Sequence, residues 1–213
     1  MLRTAFLSVM LAIAAYACSA WLTHDFQVWT AEGARRLEVA LQPIAAPAVQ
    51  IDGPSLKAQP LSQFLAGGQS VTLVDFVYTR CQTVCLALGS TYQQMQATLQ
   101  AAGPGDAAAQ RVKLLSISFD GQHDDPQVLQ AYAARLGADP LHWRFVRLPD
   151  AKETRRLLAD FQVVVVPDGR GDFEHNAALL VVDQHGRLVR IFDYAEQQLA
   201  LDYARDLASK VSP

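Results

Sequence analysis

The chain has 213 residues, of which 51% are hydrophobic, and a formal net charge of −3. That length allows one globular domain plus an accessory segment, and the apolar content is enough for a substantial core. The mild acidity and the lack of a basic stripe argue against nucleic acid as a partner.

Arg3 and the α-amino group give a short positive end, and residues 5–22 then run without a charge. As a helix this run spans roughly 27 Å, close to the hydrocarbon thickness of a bilayer. The charge bias keeps the N-terminus in the cytoplasm and sends the rest across. Residues 1–23 are therefore expected to be a single-pass anchor in a bacterial-type inner membrane, with the globular part in the periplasm. Small residues around Ala17 and Ala20 also resemble signal-peptide cleavage sites, and Cys18 hints at a lipoprotein. The anchor is preferred because the apolar run exceeds a typical signal core.

Residues 24–48 read as a linker, with Trp21, Phe26 and Trp29 placed for the membrane interface. A short helix over 30–39 is followed by an extended stretch between Pro43 and Pro47. The globular domain is expected over 49–213. Within it, helix 60–66 precedes strand 71–78, and helix 83–102 stops at Gly103. Strand 112–119 leads to Asp125-Pro126, a capping aspartate with proline at the first helical position, and a helix to about 136. A strand at 143–146, a helix over 150–161 and a loop at 167–172 come next. Strands 177–182 and 188–192 form a hairpin, and helix 194–210 closes the chain. This order predicts an α/β, thioredoxin-like fold, a mixed central sheet flanked by helices.

The stretch that organises the rest is VTLVDFVYTRCQTVCL, residues 71–86. Its first half reads as a strand buried on both faces. Cys81 and Cys85 follow where that strand should pass into a helix. Four residues apart on one helix, two side chains share a face with Cβ atoms roughly 5–6 Å apart. Unpaired amides at a helix start, with the cation of Arg80, favour thiolate. Such a pair can be a soft metal site, a redox dithiol or inert packing.

The blocks DFVYTRCQTVC, LLSISFDGQHDDPQVLQAYA and EHNAALLVVDQHGRLV, in that order and spacing, resemble the Sco/SenC family of copper chaperones for cytochrome c oxidase. The similarity covers about 48–212. It implies one copper ion bound by Cys81, Cys85 and the distant His175, and delivered to the binuclear copper centre of oxidase subunit II. Asp120 and Asp124 match the family's Asp-x-x-x-Asp loop, as supports behind the ligands or as docking residues. Gln82 and Leu86 stand where the family commonly has proline, and His175 lies between Glu174 and Asn176 in place of the usual Asp-His-Ser. Further partners implied are other copper chaperones or thiol oxidoreductases.

Elementary chemistry agrees. Two thiolates and one imidazole suit a soft or borderline ion, and three ligands fit trigonal copper better than structural zinc, which closes with four. Copper(I) is accommodated by the thiolates, and the imidazole also supports copper(II). His24, His142 and His185 read as ordinary polar residues, while His123 lies in a loop that should open at the same sheet edge as Cys81.

The alternative is a thiol:disulfide oxidoreductase in which Cys81 attacks and Cys85 resolves. The pair would close to a disulfide when metal is absent. Dedicated thioredoxin-type catalysts use C-x-x-C, so the wider spacing favours metal. A peroxiredoxin needs threonine three residues before its cysteine, where Tyr78 stands.

Overall fold

Strand β4 (Val71–Val77) is buried along its whole length, and the architecture is built outward from it. The computed structural model describes residues 2–26, 28–54, 56–81, 84–169 and 172–211, and leaves the side chains of residues 2 and 84–87 undescribed. β5 (Val112–Ser118) runs parallel to β4 in register from Val71↔Val112 to Val77↔Ser118, and β6 (Trp143–Arg147) continues the parallel set. On the other side of β4, β9 (Ala178–Val182) is antiparallel and leads by a tight turn into β10 (Arg187–Asp193). Strands β1 (Ile44–Ala45), β2 (Gln50–Gly53) and β3 (Leu56–Pro60) complete an eight-stranded sheet ordered β1-β10-β9-β4-β5-β6-β2-β3 among the described residues. The mixed sheet matches the thioredoxin-like expectation.

Alternation along β4 divides the core in two. Val71 and Leu73 face helix α4 (Val84–Ala101), through Leu88, Tyr92, Met95 and Leu99, and helix α8 (Gln197–Ser209), through Ala200 and Ala204. Val74 and Phe76 face the opposite layer, with Leu61 and Leu65 of α3 (Leu61–Ala66) and Leu157 of α7 (Ala151–Asp160). Sequence caps set the helix starts. Asp125 accepts from Gln127 and Val128 N–H groups ahead of α6 (Pro126–Arg135), and Asp150 accepts from Lys152 and Glu153 ahead of α7. Each such cap satisfies backbone donors that a helix start leaves open.

Three details differ from the sequence expectations. The helix expected over 30–39 is present after α1 (Leu2–Leu22) as α2 (Ala31–Leu41), but it buries Val39 in the core where a linker was expected. Arg36 of α2 reaches Asp193 at the end of β10 and Glu196 just beyond it, and β1 pairs with β10 itself. Asp106 caps an additional short helix, α5 (Ala107–Arg111). Third, β7 (Val165–Pro167) and β8 (Phe173–His175) form their own two-stranded ribbon outside the main sheet. Arg170 and Gly171 of the loop between them, like Gln82 and Thr83, lie outside the described residues.

Candidate metal centre

The C-terminal ends of β4 and β5 open at one edge of the sheet, and two loops there are clamped together. Asp124, fully buried, accepts from the Thr79 amide at 3.0 Å, the Thr79 hydroxyl at 2.5 Å and the Ser118 hydroxyl at 2.6 Å. Asp120 accepts from the Arg80 guanidinium at 2.8 Å. Both carboxylates thus hold the turn that delivers Cys81. Arg80 is turned toward the neighbouring loop, so its cation is shared with Asp120 and not reserved for a thiolate. Gly121 makes the loop geometry feasible, since a Cβ there would lie 1.9 Å from the Leu148 carbonyl oxygen.

Cys81 does not belong to the helix. Its amide donates back to the Tyr78 carbonyl at 3.2 Å, closing a turn, and α4 is described from Val84 onward. The expected i,i+4 pair on one helix is therefore corrected: Cys81 precedes α4, and Cys85 lies in its first turn. The Cys85 side chain is outside the description, so the sulfur–sulfur relation and the expected disulfide are too. Cys81 is only 4% exposed, more enclosed than a site open to ligand exchange would require.

His175, the last residue of β8, arrives from the separate ribbon. Its ring stands edge-on to Phe119 with centroids 5.4 Å apart, within a cluster of Tyr78, Phe119 and Phe173. Burial pushes the imidazole below its usual pKa, and the nearby charge of Cys81 works the other way without reversing this. At neutral pH the ring is therefore neutral, the form that ligates metals. The two side chains are near enough for the sulfur's charge to act on the ring. Among the described residues, no group of three His, Cys, Asp or Glu side chains is gathered closely enough to hold a metal ion.

The remaining histidines are placed elsewhere or exposed. His142 pairs through Nδ1 with Asp139 at 2.9 Å, while His24, His123 and His185 are exposed. Sequence reasoning missed two residues. Tyr78 links the ribbon to the cysteine turn, and Asp75 is a fully buried carboxyl on β4. A lone acid in an otherwise apolar strand was the readable signal for Asp75.

The mixed sheet flanked by helices is of the thioredoxin-like class, with Cys81 and His175 both placed near the C-terminal end of β4. The chain belongs to the SCO1/SenC family, whose model matches residues 62–211. It is 25% identical over 141 residues to the SCO1 protein homolog of Bacillus subtilis, covering 65% of this chain and 70% of that one. The fold is similar to Bradyrhizobium japonicum ScoI, solved with copper bound, at 26% identity and a TM-score of 0.60, over 77% of this chain and 99% of that chain. It is likewise similar to apo Sco1 from Thermus thermophilus, at 26% identity and a TM-score of 0.57, over 79% and 92% of the two chains.

Proposed function

We propose that this protein is a membrane-anchored copper metallochaperone. It binds one copper ion through Cys81, Cys85 and His175 and helps assemble the binuclear copper centre of cytochrome c oxidase subunit II. The observation that carries the reading is the arrival of a neutral imidazole from the ribbon beside the Cys81 turn, in a family with a copper-bound relative. A thiolate and a neutral imidazole fit copper in either oxidation state, and Asp120 and Asp172 add negative charge around Arg80 and the site. Copper is cargo here. Cys81 and Cys85 would hold it as copper(I), and His175 would complete the set for copper(II).

The proposed organisation keeps an anchor over 1–23, a connecting segment over 24–48 and the copper-binding domain over 49–213. Supporting the anchor, Arg3–Leu22 is long and apolar enough to cross a membrane and buries none of its length within the protein. With Arg3 on the short side, the domain would lie in the periplasm.

The test is copper titration of the full chain in detergent, with Cys81→Ser, Cys85→Ser and His175→Ala alongside. One equivalent and a thiolate-to-copper(II) absorption band are expected in the parent, with the band lost in each cysteine variant. If His175→Ala binds copper(II) with an unaltered band, the three-ligand set is refuted; if the parent binds no copper, thiol–disulfide exchange by the cysteine pair becomes the better account.

A further inference from the structure

Among the described residues, His175 is carried by an element that shares no strand pairing with the main sheet, so side-chain contacts must help fix where its ring stands. The ribbon pairs Val165↔His175, Val166↔Glu174 and Pro167↔Phe173. Backbone bonds run from Asp168 N–H to the Asp172 carbonyl and from Asn176 N–H to the Val164 carbonyl. In an antiparallel ladder such bonds fall on alternate pairs. The N–H and C=O groups of Phe173 therefore point away from β7, along the ribbon's outer edge, as does the backbone of His175.

That edge is met by the side chain of Tyr78. The Tyr78 hydroxyl donates to the Phe173 carbonyl and accepts from the Phe173 amide, each at 3.3 Å. The Tyr78 ring packs edge-on against Phe173 at 5.2 Å and tilted against Phe119 at 5.3 Å, and Phe119 in turn packs on the imidazole. Tyr78 also supplies the carbonyl that closes the Cys81 turn. One residue thus grips the strand bearing the imidazole with its side chain and the turn bearing the thiol with its backbone.

We propose that Tyr78 is a positioning residue that holds His175 at the Cys81 turn by pairing its hydroxyl with the outer edge of β8. Phenylalanine at this position would keep the ring packing and remove the hydroxyl from both backbone groups of Phe173 and from the Cys81 side chain that it also meets, while the strand pairing of β4 is untouched. The inference rests on the reading of His175 as a copper ligand only for its copper arm.

The experiment compares the parent, Tyr78→Phe and His175→Ala as full chains in detergent. Without metal, Tyr78→Phe is expected to exchange the Phe173 amide at least about tenfold faster and to shift the His175 ring resonances, with the amides of β4 and β5 unchanged. With copper(II) sulfate, it should bind about tenfold more weakly with an altered electron paramagnetic resonance spectrum, the scale of one to two neutral hydrogen bonds. Unaltered Phe173 exchange overturns the proposal, as does faster exchange with unmoved His175 resonances. Failure of the ligand reading registers separately, as an unaltered copper(II) spectrum in His175→Ala.

Discussion

Asp75 stands in the middle of β4, 1% exposed, opposite Ser116 of β5, whose hydroxyl accepts from the Trp143 indole at 2.9 Å. Burial raises its carboxyl from 3.8 to about 7, with the Ser116 hydroxyl working the other way; burial, joined by the Asp75 charge, also raises the Tyr92 phenol on α4. The folded state therefore holds this proton more tightly than the unfolded chain does. Folding takes up a proton between the two values, so this group's contribution is fully present below pH 3.8 and is lost as pH rises through about 7. At 1.36 kcal/mol per unit, the loss amounts to at most about 4 kcal/mol. Asp75→Asn keeps the shape and removes the ionisation. It is expected to match the parent near pH 4 and to exceed it by about 2–4 kcal/mol at pH 7.5. Urea unfolding of the reduced, metal-free chain across that range reads the difference directly. Parallel pH profiles for the two proteins would refute the buried-proton account.

Asp124→Ala should destabilise by about 3 kcal/mol, because Thr79 and Ser118 lose a shared buried acceptor. The loss appears as a lower urea midpoint together with faster exchange of the Thr79 amide. Arg80→Met removes a half-exposed pair with Asp120 and should leave the urea midpoint nearly unchanged; a clear drop in the same unfolding measurement would show the pair to be more than a surface contact. Gly121→Ala forces a methyl into the Leu148 carbonyl and should cost about 3 kcal/mol or more, read as a drop in thermal midpoint.

The central strands and the α4–α8 layer were legible because period and caps agree with the fold: an apolar run for β4, Asp-Pro for α6, glycines after α4. The two-residue β1 and the ribbon were not. Ile44 and Ala45 lie between prolines and read as a breaker, yet an edge strand tolerates them because its outer groups face solvent. β8 spans only Phe173–His175, too short for a period-2 signal. At the site, Cys81 and His175 were recognisable by spacing and resemblance, whereas Tyr78 acts through a hydroxyl meeting a backbone edge some 95 positions later, a contact no local pattern encodes. The helical geometry assumed for the cysteines failed because the turn at Cys81 comes before the first helical residue described.

Among the described residues the ribbon's ladder is separate from that of the eight-stranded sheet, although Val165 and Phe173 pack on the core below it. Opening the ribbon would therefore cost side-chain packing and the Tyr78 contacts but no hydrogen bond of the main sheet, so His175 can shift while β4 and its neighbours stay paired.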